Sequence, residues 1–185
     1  LFTVESTDEA VPWIANWLET RLSHLWYTTT VASVAFALNN ALATRCLKEG
    51  MTHMEANKHA TMLGVCDFGL RGVECLEAGV RGGMAALTSS TSSDNTAAMY
   101  GVNQHYPDTS GTPDFTSVGS SIPAAEHSTI TSHGKDKEKD AYFQILDTFP
   151  TGPVSIVMDS YDYKAAVALL CGELKDNVSE RYDNA

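Results

Sequence analysis

From Gly64 onward the chain alternates short apolar segments with helix-compatible ones, and most of the apolar segments run into a charged residue. Gly64–Leu70 passes through Asp67-Phe68-Gly69. Leu87–Ser93, small and polar, reads as a buried strand ending at Asp94. Pro153–Met158 carries Val154, Ile156 and Val157, all strand formers, and is the clearest strand. Between them, Val73–Ala86, Asn95–Tyr106, Lys135–Phe149 and Tyr163–Leu174 have helical patterning, although Gly79, Gly82 and Gly83 weaken the first. Strand and helix in alternation point to parallel β/α units, an α/β fold.

The N-terminal part is organised differently. Phe2–Glu5 reads as a short strand, with Thr7 or Asp8 able to cap the helix that follows. Ile14, Trp17, Leu18, Leu22 and Leu25 fall at helical spacing. Thr28–Val31 is β-branched and reads as extended before a second helix over Ala32–Leu47, which Gly50 stops. Another helical stretch runs from Glu55 to about Met62. Pro107–Ser121 is the one long loop candidate, and Asp176–Ala185 is polar with no closing element.

Several function classes are disfavoured by charge and composition. The formal net charge of −11 opposes nonspecific binding to nucleic acid or to an anionic membrane surface, since both reward clustered Lys and Arg. No apolar run approaches the roughly 20 residues of a spanning helix. Cys46, Cys66, Cys75 and Cys171 contain no C-x-x-C pair, so a zinc ribbon or thioredoxin motif is not expected and no resident metal is assigned. They read as reduced thiols of an intracellular, cytoplasmic protein. The chain starts without Met and in the middle of a strand pattern, which reads as an excerpt of something longer.

Four polar signals sit where strands should end: Asp67-Phe68-Gly69-Leu70-Arg71-Gly72, Asp94, Glu126-His127, and Asp159-Ser160-Tyr161-Asp162. In a β/α barrel these ends converge on one face, where active sites lie. Taken singly, each residue has a plainer use. Phe68 suits a core position, Arg71 a surface ion pair, Asp94 the N-cap of the Asn95–Tyr106 helix, and His127 a structural histidine.

The segments Asp67–Val73, Ser121–Thr131 (SIPAAEHSTIT), Gly134–Ala141 (GKDKEKDA) and Pro153–Asp162 (PVSIVMDSYD) resemble those of the nicotinamide phosphoribosyltransferases, in that family's order. Leu1–Thr7 and the Trp13–Trp26 helix fit as well. The resemblance implies part of an incomplete β/α barrel of the type II phosphoribosyltransferase kind, with an N-terminal piece of the adjoining mixed domain. On that basis residues 1–50 belong to the smaller domain and 51–185 to the first part of the barrel, both incomplete. It implies a homodimeric enzyme of NAD salvage. Such an enzyme joins nicotinamide to phosphoribosyl pyrophosphate, giving nicotinamide mononucleotide and pyrophosphate, with Mg²⁺ assisting and ATP coupled through a phosphohistidine.

Residue by residue, the same resemblance gives Phe68 the stacking of the pyridine ring, Arg71 the pyrophosphate and Asp94 the nicotinamide amide. His127 becomes the phosphorylated histidine, also facing pyrophosphate, with Glu126 and Asp159 as its candidate partners. Ser121 and Ser155 line the tunnel behind the base, and His133 is read as surface. Cys66 departs from the histidine usual before Asp-Phe-Gly, and Leu70 from a usual aromatic. Residues 106–120 also differ. An Arg-Pro-Asp-Ser-Gly-type ribose segment, a later glycine-rich phosphate loop and the N-terminal ring-closing tyrosine have no counterpart here, so residues 1–185 by themselves are expected to be inactive. Nicotinate phosphoribosyltransferase, or a non-catalytic interaction protein reusing the fold, are the alternatives.

Overall fold

The computed structural model describes residues 3–106 and 118–183. The expected long loop therefore lies largely outside the described residues. The contacts divide the chain into two compact units, Leu1–Ser121 and Ile122–Ala185. The expected boundary at residue 50 falls inside the first, where the flanking helices pack together.

Unit 1 is built on α1 (Ile14–Lys48), α2 (His53–Leu63), α3 (Leu76–Ala86) and α4 (Thr96–His105). Helix α1 is continuous, contrary to the break expected at Thr28–Val31. β-branched residues cost a helix only a few tenths of a kcal/mol each, which the helical patterns on both sides outweigh. Thr28 Oγ1 also donates back to the carbonyls of His24 and Leu25, a satisfied helical arrangement. The expected capping by Thr7 or Asp8 is not found. Asp8 instead accepts from the Ala10 N–H at 2.9 Å in a separate turn, and residues 3–5 form no strand. Gly50 ends the helix as expected, with φ of 93°, a conformation that favours glycine.

Ala35, Asn39 and Cys46 form the buried stripe of α1. Asn39 is the polar staple of that stripe. Its amide donates to the Ser89 carbonyl at 2.7 Å and accepts from the Val65 N–H at 3.0 Å. Both partners begin the segments that lead into strands, so α1 fixes where those strands start. Helix α2 opens with a capping box, Thr52 and Glu55 each satisfying the other's backbone N–H.

The strands are shorter than expected. β1 (Cys66–Asp67) pairs in parallel with β2 (Ser92–Ser93), and Ser120 adds an isolated parallel bridge to Ser92. Unit 2 has one parallel bridge, Ala124 to Ser155, in place of the expected Pro153–Met158 strand. The described residues are thus a mostly helical α/β arrangement with a small parallel sheet. A barrel needs a closed run of neighbouring strands, and these pairings supply two parallel strands and two bridges.

In unit 2, α5 (His127–Thr131), α6 (Glu138–Thr148), α7 (Tyr163–Cys171) and α8 (Lys175–Asp183) surround a core of Ile130, Ala141, Tyr142, Ile145, Leu146, Ala166 and Leu174. Val154, Ile156, Val157 and Met158 pack against this core. Phe149, the last residue of the expected Lys135–Phe149 helix, is 39% exposed because α6 ends before it. The expected Tyr163–Leu174 helix stops at Cys171, and the polar tail forms α8 instead of ending without an element. Arg181 holds α8 by donating to the carbonyls of Leu146 and Gly152, at 3.0 and 2.6 Å. No described helix is long and apolar enough to cross a membrane.

Candidate functional site

In unit 1 the candidate residues gather at the ends of β1 and β2. Asp94 N–H donates to the Asp67 carbonyl at 3.1 Å, extending the ladder by one bond. The residues just past that bond are Phe68 and Asp94. The Phe68 ring is 47% exposed, so the core position that sequence alone allowed is not where it sits. An exposed aromatic face at a strand end is available to a flat heterocycle. Arg71 follows on the 3-10 turn Gly69–Gly72 and is exposed.

The alternative use of Asp94, as a helix N-cap, is taken by its neighbour. Asn95 Oδ1 accepts from the Ala98 N–H at 3.0 Å and caps α4. The Asp94 carboxylate turns instead to Ser121, whose hydroxyl donates to Oδ1. Cys66 lies beside this pair. Burial pushes its thiol above the ordinary cysteine range, a hydrogen bond with Ser92 works against the rise, and the Asp94 and Asp67 charges add to it. A protonated thiol stands where the resemblance leads one to expect histidine.

Sequence reading overlooked Asn95, which is 1% exposed and bonded to three parts of unit 1. The available signal was the Asp-Asn pair at a helix start, where either residue can cap. Gly79 and Gly83 were a second signal, because glycines one turn apart in a helix allow another segment to approach closely.

In unit 2 the geometry starts from the extended segment through Ser155. Its N–H donates to the Pro123 carbonyl at 2.9 Å and its carbonyl accepts from Ala125 at 2.8 Å. These bonds set residues 123–125 beside 154–156. The apolar side chains of Ile156, Val157 and Met158 anchor one segment in the core, and Ile130 anchors the other. Each segment then emerges with a polar residue. His127 opens α5, and its Nε2 lies 2.9 Å from Asp159 Oδ1. Asp159 thus makes the imidazole contact, while Glu126 occupies the N-cap position and its carbonyl accepts from Thr129 and Ile130.

An imidazole whose Nε2–H faces a carboxylate has its lone pair on Nδ1, the tautomer suited to nucleophilic attack. His127 and Asp159 are both exposed. His133 is half-buried and held by Gln144 and the Thr129 carbonyl, and Asp162 caps α7, so both have structural work. The described residues contain no group of three or more His, Cys, Asp or Glu side chains placed to hold a metal.

Residues 63–185 match the model of the nicotinate phosphoribosyltransferase (NAPRTase) family. Among curated proteins, the chain is 36% identical over 170 residues to the nicotinamide phosphoribosyltransferase of Xanthomonas campestris pv. campestris (strain 8004), covering 90% of this chain and 34% of that protein. It is 29% identical over 187 residues to the nicotinamide phosphoribosyltransferase of Acinetobacter baylyi, covering 100% of this chain and 35% of that protein. For the Mycoplasma pneumoniae nicotinamide phosphoribosyltransferase the identity is 28% over 190 residues, with 99% and 37% covered. The chain therefore spans about a third of the length of the curated relatives it matches.

Proposed function

Since the chain belongs to the nicotinate phosphoribosyltransferase family, we propose that it carries the base-binding and phosphohistidine parts of a nicotinamide phosphoribosyltransferase acting in NAD salvage. The observation that carries this reading is Asp94, a carboxylate released from helix capping by Asn95, on the strand end paired with the one that leads into exposed Phe68. Phe68 offers its face to the pyridine ring. The Asp94 carboxylate accepts a hydrogen bond from the nicotinamide NH₂ and repels the carboxylate of nicotinate, so one residue attracts the right base and rejects the wrong one. Relatives named nicotinamide phosphoribosyltransferase support this choice of base.

The pyridine nitrogen attacks C1′ of phosphoribosyl pyrophosphate, the C1′–oxygen bond to pyrophosphate breaks, and pyrophosphate leaves with the bonding pair. The protein contributes position and charge: Phe68 and Asp94 orient the base, and Arg71 meets the pyrophosphate. Mg²⁺, if bound with the substrate, would neutralise charge on the polyphosphate, and sites of that kind need only one or two protein carboxylates.

ATP coupling runs through His127. Nδ1 attacks the γ-phosphorus, the bond to ADP breaks, and ADP departs. Asp159 keeps the proton on Nε2 and stabilises the positive charge that phosphorylation leaves on the ring. Ser121 flanks the base end beside Asp94, and the working unit is a cytoplasmic homodimer. The family's own name favours a second reading, nicotinate phosphoribosyltransferase, from which Asp94 discriminates. The test is a competition assay on the full gene product with nicotinamide and nicotinate, phosphoribosyl pyrophosphate, Mg²⁺ and ATP. Nicotinamide mononucleotide as the main product supports the first reading; nicotinate mononucleotide supports the second.

A further inference from the structure

We propose that Asn95 is a positioning residue that ties the strand end bearing Phe68 to the strand end bearing Asp94, and that the preference for nicotinamide depends on this tie. The inference rests on the base-binding reading given above. Asn95 is 1% exposed, and its side chain can offer two N–H donors and one carbonyl acceptor. All three capacities are used. Nδ2 donates to Asp67 Oδ2 at 2.9 Å and to the Gly79 carbonyl at 3.0 Å, and Oδ1 accepts from the Ala98 N–H at 3.0 Å. One side chain thus joins the end of β1, the middle of α3 and the start of α4.

Asp67 is the other half of the tie. Its Oδ1 accepts from the Gly69 N–H at 2.8 Å, fixing the turn that begins at Phe68. Its Oδ2 takes the Asn95 amide, and its backbone carbonyl takes the Asp94 N–H at 3.1 Å. Two adjacent bonds therefore cross between the strands, one from Asp94 and one from Asn95. With a single bond the two ends could pivot about it; with two they hold one relative orientation. Helix α3 closes over this arrangement at Gly83. A β-carbon there would fall 2.5 Å from Asn95 Nδ2 and 2.7 Å from Asp67 Oδ2, closer than real contacts allow.

The tie sets the geometry between an aromatic face and a carboxylate, which is what distinguishes a carboxamide from a carboxylate on the same ring. Asn95→Asp isolates it. Aspartate keeps the helix cap, because it is as good an N-cap as asparagine. It also places a second carboxylate against Asp67 and removes both N–H donors. In the full gene product, the ratio of kcat/KM for nicotinamide over nicotinate should fall roughly tenfold, with most of the change in KM for nicotinamide, as expected when a buried pair is left facing like charge. Adding Asp67→Asn exchanges donor and acceptor and should recover at least about a third of the lost ratio, the coupling expected of side chains in direct contact.

Asn95→Ser, which keeps a cap oxygen without adding charge, serves if Asn95→Asp does not fold. A ratio unchanged in both single variants, in a wild type that makes nicotinamide mononucleotide, overturns the role of Asn95 alone. Equal losses for both bases with a lowered Tm, or failure of both variants to fold, mark a merely structural asparagine and overturn it too. A wild type that makes neither mononucleotide overturns the base-binding reading together with this one.

Discussion

His127 Nε2 lies 2.9 Å from Asp159 Oδ1, although 32 residues separate the two in sequence. On the phosphohistidine proposal, a proton held on Nε2 by that carboxylate leaves Nδ1 as the attacking nitrogen.

His127→Ala should therefore abolish phosphorylation from labelled ATP, seen as loss of an acid-labile, base-stable label on the full gene product. Basal synthesis of nicotinamide mononucleotide should persist, because base-to-ribose transfer does not pass through the phosphohistidine. Asp159→Asn keeps an acceptor for Nε2–H but removes its charge. Charge-assisted hydrogen bonds are about twice as strong as neutral ones, so labelling should slow about tenfold. Undiminished label on the His127→Ala protein would move the phosphoryl group to another residue.

Asp94→Ser should let nicotinate compete. The substitution removes the repelling charge while keeping a small polar side chain beside Ser121. The nicotinamide-to-nicotinate ratio of kcat/KM should drop roughly tenfold or more, in line with the cost of a like-charge contact in a partly desolvated site. The cap of α4 belongs to Asn95, so Tm should change little. An unaltered ratio would remove Asp94 from base selection.

Cys66 should be the slow thiol of its neighbourhood. Burial raises its pKa, so at a given pH less of it is the reactive thiolate than of a cysteine at its ordinary value. Cys75 and Cys171 are exposed. Iodoacetamide at pH 8, followed by peptide mass spectrometry, should label those two first and reach Cys66 later. Labelling of Cys66 at the rate of Cys171 would contradict the burial argument.

The Thr52–Glu55 capping box predicts an acid dependence. The Thr52 backbone N–H, then its hydroxyl, hold the Glu55 carboxyl below the ordinary glutamate range. A depressed folded pKa means the contribution is complete above the unfolded carboxylate value and is lost as pH falls through the lower folded one. Glu55→Gln should flatten this part of the pH profile of unfolding by urea, with the difference from wild type disappearing at the acid end. An equal difference at every pH would show that charge is not involved.

Residues 1–185 expressed alone should self-associate and make no detectable nicotinamide mononucleotide. Helix α1 presents Trp26 at 75% exposure and Phe36 at 63%, with Leu25, Val34 and Leu38 also exposed, a large apolar surface for a water-facing helix. No described residue is assigned to the ribose hydroxyls or the 5′-phosphate, and loss of positioning costs many orders of magnitude in rate. Light scattering and a coupled product assay would check both. A monodisperse, active species would contradict this account of what the site requires.

The sequence by itself determined the order of the helical segments and two of the four polar strand ends, at Asp67-Phe68 and at Asp94. Periodicity, caps and glycine stops are local, and α2, α4 and α6 lie within a few residues of where that local pattern places them. It also singled out Asp94, His127 and Asp159. Only the tertiary structure decided among neighbours with equal local propensity. Asp94 and Asn95 can both cap a helix, and Asn95 does so because burial also gives its two N–H groups acceptors on Asp67 and Gly79, which a carboxylate could not use. Asp159 meets His127 across 32 residues because the core packing of Ile156, Val157 and Met158 carries it there. Thr28–Val31 stays helical because a 35-residue helix around it outweighs a weak local preference for extension. For Asn95 and Asp159 the deciding energy comes from contacts between residues distant in sequence, which a local pattern does not encode.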